Sequence, residues 1–231
     1  FALETGLSSD PGMNWRWSKL DRFTLISNSD AHSPAKLGRE ANIFNTELDY
    51  YKILDALKTK NKAKLLATIE FFPQEGKYYW DGHRLCNVGQ SHKDSITNNN
   101  MCPVCHKPLT IGVMHRIETL SDRHDEFTPG NAIPYYSVVP LIELIAQVQE
   151  KSVNSIYVKN ELDRLISSIG SEFDILINIP EEGLYHKLPK ELAEAVISIR
   201  NNHVKITPGS DGVFGKVQAE LAKKDSQMQL F

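Results

Sequence analysis

The sequence predicts an α/β fold over residues 1–75, then a small Cys- and His-rich module and a helix-rich C-terminal part. Three observations carry this prediction. Strand-like and helix-like periodicities alternate before residue 75. All three cysteines and five of the eight histidines fall between residues 76 and 125, and helical periodicity recurs after residue 140. The composition, 41% hydrophobic and 24% charged over 231 residues, is that of a folded globular chain, which excludes wholesale disorder, collagen-like repeats and simple coiled coils.

The elements follow in order. Residues 23–27 (Phe-Thr-Leu-Ile-Ser) are a β-favouring run that ends in the polar cluster of residues 28–34. Residues 48–60 carry Leu48, Tyr51, Leu54 and Leu57 at helical spacing, with Thr46 as the expected cap and lysines toward the end, where they match the helix dipole. Residues 65–72 read as a buried strand, and strand, helix, strand implies an α/β layer or barrel. Residues 135–139 read as a Pro-bounded connector, and Pro140 is placed to begin a helix with Leu141, Ile142, Leu144, Ile145 and Val148. A second helix is expected over 158–169, stopped by Gly170, a short strand at 175–177, and a third helix over 189–200. Residues 208–215 are dense in turn formers, and residues 216–224 read as a solvated helix or tail.

Charge and cysteine usage narrow the setting. A net charge of -3 gives no global attraction to phosphate, so nucleic-acid contact would have to come from a local basic surface. No apolar run approaches the roughly 20 residues that a membrane helix needs. Three cysteines, an odd number, fit a secreted disulfide framework poorly and point to a reducing, cytoplasmic compartment. The chain opens without a methionine and in mid-pattern, so its natural N-terminal part is expected upstream of residue 1.

The cysteines form two knuckles. His83-Arg84-Leu85-Cys86 and Cys102-Pro103-Val104-Cys105 each leave two residues between potential ligands, a gap that lets one turn aim two side chains at a common point. Four N or S ligands close a tetrahedral structural zinc site, which would supply folding energy to a segment too small for its own core. His92 and His106 compete with His83 for the fourth position, His106 less well because it directly follows Cys105. Asp30 and His32 are two apart in an extended segment, so both side chains leave the same face and can converge on a divalent ion. Spacing alone makes this pair a weak signal, since a polar turn at a strand end would look the same.

The segment Asn28-Ser29-Asp30-Ala31-His32-Ser33-Pro34, followed by Leu37-Gly38-Arg39-Glu40-Ala41, resembles the last metal motif of a polymerase-and-histidinol-phosphatase (PHP) domain. Residues 68–84, residues 102–109 running into 110–123, and residues 208–215 resemble, in that order, endonuclease Q and its bacterial relatives. The resemblance implies a metal-dependent DNA repair endonuclease that cuts the strand 5′ of deaminated bases, uracil or hypoxanthine, or of abasic sites. It implies the C-terminal part of a PHP domain, a distorted β/α barrel, over residues 1–75, a zinc-binding module over 76–125, a helix-rich DNA-binding domain over 126–215 and a tail over 216–231. Asp30 and His32 become active-site ligands of a catalytic ion such as Mn2+, Mg2+ or Zn2+, and His83, Cys86, Cys102 and Cys105 the ligands of structural Zn2+. Glu4 and Glu70 are further acids that could approach this site, and neither is assigned to it. The His-x-His pair that PHP domains carry near their N-terminus is missing, so this chain alone is expected to lack a complete metal centre and to be inactive. Ser210 stands where an aromatic residue is expected in relatives.

Recognition of a damaged base requires flipping it from the duplex, and Tyr78, Tyr79, Trp80 and Arg84 offer stacking faces and a phosphate contact; packing of the small module would explain the aromatics equally. The chain ends Gln227-Met228-Gln229-Leu230-Phe231, and Gln-x-x-Leu-Phe resembles the motif by which bacterial repair proteins bind the sliding clamp: Gln227 to backbone, Leu230 and Phe231 in an apolar cleft. Two other readings compete. A PHP-type phosphoesterase on small phosphorylated substrates would need neither zinc insert nor clamp tail, and a non-catalytic zinc-dependent DNA or clamp adaptor would bind without cutting.

Overall fold

The computed structural model describes residues 1–221; the expected clamp motif at Gln227, Leu230 and Phe231 lies outside the described residues. The architecture is mixed α/β, and it divides into two units, one of residues 1–138 with 206–217, the other of residues 139–205 with 218 onward.

In the first unit β1 (Ala2–Glu4) leads to α1 (Pro11–Trp15), whose first turn is capped by Asp10, accepting from the Met13 amide at 2.8 Å. β2 (Thr24–Ile26) then lies parallel to β1, with Leu3 opposite Leu25. The expected strand at 23–27 is therefore present, and it delivers the polar segment with Asp30 and His32 at its C-terminal end. β3 (Ala41–Phe44) was not legible in the sequence; only its pairing with a later strand defines it.

The next helix, α2 (Tyr50–Thr59), is shorter than the periodicity implied. Leu48 precedes it and is 99% exposed, and the cap is Asp49, not Thr46. The Asp49 carboxylate sits against the first turn and accepts from the amides of Tyr51 and Lys52, each at 3.0 Å. β4 (Leu65–Glu70) is buried at every position but Leu66, and it pairs antiparallel with β3. Burial on both faces from Ala67 to Glu70 is that of a strand covered on both sides, and it encloses the polar Thr68 and Glu70 as well as Ala67 and Ile69.

Residues 81–120 hold β5 (Asp81–His83), its antiparallel partner β6 (Val88–Gln90), α3 (His92–Thr97) and α4 (Val113–Leu120). Beyond them β7 (Tyr135–Ser137) adds parallel to β4, Thr68 opposite Tyr135 and Glu70 opposite Ser137. The sequence reading of 135–139 as a connector is thereby corrected. The five residues between Pro134 and Pro140 are too few to carry a periodicity, and the three-residue strand exists because β4 offers it a main-chain ladder.

The second unit is helical. α5 (Leu141–Val148) starts after Pro140 as expected, and α6 (Ile156–Ile169) starts two residues early because Ser155 caps it at the Val158 amide, 3.3 Å away. The expected strand at 175–177 is instead a π-helical turn over Asp174–Asn178. Its carbonyls are taken by Arg200, which donates to Ile175, Leu176 and Ile179 at 2.9, 2.8 and 2.6 Å. A three-residue apolar run cannot distinguish a strand from a buried helical turn. α7 (Glu181–Lys187) and α8 (Lys190–Arg200) complete this unit, around a core that includes Leu144, Ile145, Leu165, Ile175, Leu184 and Val196.

β8 (Val204–Thr207) and β9 (Lys216–Ala219) pair with each other. The solvated helix or tail expected from 216 is thus a strand in its described part. Val217 and Ala219 are both 5% exposed while Lys216 is exposed, an alternation with period 2. Among the described residues no helix is long and apolar enough to cross a membrane.

Candidate functional site

The two knuckles converge. His83 closes β5, and Cys86 ends a tight turn over Arg84–Cys86 that Asn87 reverses in the left-handed region at φ 51°. The second knuckle turns back through His106 at φ 56°, whose amide donates to the Cys102 carbonyl at 2.9 Å. One ligand atom from each of His83, Cys86, Cys102 and Cys105 lies within 4.8 Å of all the others, and the Cys105 Sγ is 3.5 Å from the His83 Nδ1. Of the rival histidines, His106 is exposed and His92 lies instead against Glu118, with Nε2 to Oε2 3.7 Å.

The electrostatics suit a cation. The hydrogen bond to Cys105, with burial and Cys102 behind it, pushes the Cys86 thiol up to about 11. Cys102 is drawn below the ordinary thiol range; burial opposes this, but the amides of Cys105 and Val104 point at its sulfur and outweigh it. Amide donors on a knuckle sulfur stabilise thiolate, the form that binds metal. The donor set of three sulfurs and one imidazole fits a structural zinc. Within residues 76–125 only Cys102 and Leu109 are buried apolar residues, so no conventional core holds the module.

Polar contacts brace it. Asp81, 1% exposed, accepts from the Gly112 amide and pairs with His115 Nδ1, both at 2.7 Å. Arg16 forms a two-pronged pair with Glu118, both prongs 2.7 Å, and Arg123 does the same with Asp21 at 2.7 and 2.6 Å. Planar guanidinium-carboxylate pairs of this kind fix orientation as well as distance.

Asp30 and His32 lie side by side in solvent. Their side chains are 83% and 89% exposed, with the Asp30 Oδ1 3.6 Å from the His32 Nε2. They open onto a cleft of about 220 Å³ whose wall also includes Ser33, Lys36 and Arg39. The Arg39 guanidinium stacks on Phe71, 4.8 Å from the ring centre, and its buried Nε has no hydrogen-bond acceptor. Lys36 and Arg39 were not singled out from the sequence, although Arg39 stands inside the motif segment that follows His32.

Glu40, the next residue, is 3% exposed, and neither of its carboxylate oxygens has a hydrogen-bond partner. Glu70 is fully buried at the end of β4, where Thr5 and Thr68 donate to it at 2.9 and 2.5 Å. Burial pushes both carboxyls up to about 7, and at Glu40 the charge of Glu70 adds to it. Glu4 is exposed at the end of β1 and raises Glu40 further.

The four residues read as DNA contacts separate by exposure. Tyr78 is 53% exposed and Arg84 is exposed, whereas Tyr79 is half-buried, its hydroxyl pushed up to about 12 by burial, and Trp80 is half-buried with its amide bonded to the Gly209 carbonyl at 2.9 Å. The turn-rich segment 208–215 therefore lies against the start of the segment that carries the His/Cys cluster.

Fold and donor chemistry define the class: a mixed α/β protein with a His/Cys cluster that could hold a metal and an exposed Asp–His cleft. Within that class the chain is similar in sequence and fold to endonuclease Q, the family its motifs resemble. It matches the crystal structure of the lesion-specific endonuclease PfuEndoQ from Pyrococcus furiosus with a TM-score of 0.84 and 32% identity, over 94% of this chain and 54% of that one. It matches an endonuclease Q in complex with a 27-mer duplex substrate with an abasic lesion at the active site with a TM-score of 0.79 and 31% identity, over 95% of this chain and 55% of that one. In sequence it is 33% identical to the uncharacterized protein MJ0043 of Methanocaldococcus jannaschii and 29% identical to the uncharacterized protein YqxK of Bacillus subtilis, over 96% and 94% of this chain. It spans 28% and 52% of their lengths. A family model described as the MJ0043 C-terminal domain matches residues 140–203.

The buried acids generate a pH prediction. A carboxyl raised from 4.5 to about 7 in the folded state favours folding only while protonated, so its contribution is complete below about pH 4.5 and is lost as pH rises through 7. Glu40→Gln should therefore leave stability unchanged at pH 4 and increase it at pH 8 by on the order of 2 kcal/mol in urea unfolding. Equal stabilities at both pH values would contradict the burial argument.

Proposed function

We propose that this chain is part of a DNA repair endonuclease that cuts the strand 5′ of deaminated bases, uracil or hypoxanthine, or of abasic sites. The observation that carries the reading is its likeness in both sequence and fold, over 94% of its length, to a lesion-specific endonuclease. The strand pairs of residues 1–75 are read as part of a PHP barrel, residues 76–125 as its zinc module, residues 126–215 as a DNA-binding domain and residues 216–231 as a clamp-binding tail. His83, Cys86, Cys102 and Cys105 would hold structural zinc.

Asp30 and His32 would hold a catalytic divalent ion, whose chemistry is water activation and neutralisation of phosphate charge. Two donors are fewer than the three protein ligands usual at a catalytic site, which supports the expectation that the chain alone is inactive. Lys36 and Arg39 line the same cleft as cations and would meet phosphate oxygens there, the Arg39 guanidinium being held in place by its stacking on Phe71. Tyr78 and Arg84 contribute a stacking face and a phosphate contact, with Tyr79 and Trp80 as the packing behind them.

The decisive assay uses a protein that joins this chain to the further segment that its longer relatives possess. Incubated with Mn2+ or Mg2+ and duplexes carrying uracil, hypoxanthine, an abasic site or no lesion, it should nick only damaged strands. Asp30→Ala should reduce the rate at least about 100-fold, the scale lost when a group acting on developing charge is removed. Cutting without regard to damage, or dephosphorylation of small substrates alone, would reject the reading.

Metal analysis of the 231-residue chain should find close to one zinc per chain, and none after Cys102 and Cys105 are both changed to Ser. Zinc retained by that double variant would disprove the ligand set. Removing residues 227–231, which include Gln227, Leu230 and Phe231, should abolish capture by a bacterial sliding clamp and leave the unfolding midpoint unchanged. Undiminished capture would eliminate the tail as the contact.

A further inference from the structure

The segment 208–215 presents an aromatic side chain that nothing in the proposed metal chemistry uses. Phe214 is 70% exposed and Val213 is 50% exposed, while Tyr78, on the adjoining strand entry, is 53% exposed. Isolated apolar residues on a surface are ordinary, but three gathered on one rigid feature are a candidate contact.

The segment is rigid for stated reasons. The Gly209 amide donates to Gln74 at 2.9 Å, Gly212 to Lys77 at 2.9 Å and Gly215 to Glu75 at 3.0 Å, while Trp80 donates back to Gly209. A Cβ at Gly215 would collide with the Gln74 carbonyl oxygen, so only glycine permits this approach. Ser210 and Val213 bond to each other across the turn at 3.1 and 2.9 Å. The segment's own carboxylate, Asp211, accepts from the Arg84 amide at 2.5 Å, which anchors it to the first metal knuckle.

The flanking charge is positive. The Lys77 Nζ lies 4.5 Å from the centre of the Phe214 ring, and the Arg84 Nη1 lies within 3.5 Å of the Cβ position of Gly212. An exposed aromatic with a lysine over its ring, on a turn that also has an arginine against it at Gly212, complements stacked bases bordered by phosphates better than the apolar cleft of a protein partner.

We propose that Phe214 is a wedge that enters the base stack at the damaged position, with Tyr78 and Val213 beside it and Lys77 and Arg84 against the flanking phosphates. Apolar side chains inserted between base steps stabilise unstacked, kinked duplexes, and an abasic site has the least stacking to lose. This assignment rests on the DNA repair reading and adds the residue that senses the gap.

The test measures binding of the whole chain to a fluorescent duplex with one central abasic site and to its undamaged twin, with 2-aminopurine opposite the lesion as a second signal. Phe214→Ala should weaken binding to the abasic duplex about ten-fold, leave the undamaged duplex within about two-fold and abolish the 2-aminopurine enhancement, while Phe214→Trp keeps all three near the parent. An unchanged melting temperature confirms that this exposed substitution leaves folding intact. Equal affinity of parent and Phe214→Ala for the abasic duplex overturns the wedge and leaves the nuclease reading standing. Failure of the parent chain to bind either duplex overturns the wedge together with DNA binding by this chain. Self-association that Phe214→Ala abolishes, without an effect on DNA, would assign the patch to a second copy and also overturn it.

Discussion

Three thiols and one imidazole held within 4.8 Å of one another are the constraint on which residues 76–125 depend. Thiolates at this distance repel, and neutral thiols lose the stabilisation offered by the amides around Cys102. A cation resolves both problems. Structural zinc binds such peptides with apparent free energies of about 10–16 kcal/mol, comparable with the whole stability of a small domain at about 5–15 kcal/mol. A module with only Cys102 and Leu109 as buried apolar residues has little else to fold around.

The consequence reaches beyond the module. Asp211 is bonded to the amide of Arg84, and segment 208–215 takes its shape from main-chain bonds to residues 74–80. Residues separated by more than 120 positions are thus tied to the segment that carries the His/Cys cluster. Elsewhere in the same unit two kinds of acid coexist. Asp30 is open to water, whereas Glu40 and Glu70 are buried and hold protons to near neutral pH.

What the sequence disclosed was what is local. Two-residue gaps between His83 and Cys86 and between Cys102 and Cys105 describe turns, and turns are decided within a few residues. The helices α5, α6 and α8 announced themselves through repeated apolar positions. The misses share a cause: each was decided by a distant partner. β7 is a strand because β4 lies beside it, and residues 175–177 lie in a π-helical turn where Arg200 takes the carbonyls of Ile175, Leu176 and Ile179. Glu40 looks like any surface acid in a polar motif until its burial is known. Phe214 stands in a segment read only as dense in turn formers, and the structure shows that it faces water.

The most direct test of the metal knuckle is X-ray absorption at the zinc edge on the intact chain. A first shell of three sulfurs at about 2.3 Å and one nitrogen at about 2.0–2.1 Å is the predicted result. A shell made of oxygen and nitrogen alone, or a chain that folds to the same stability with no metal bound, would contradict the account.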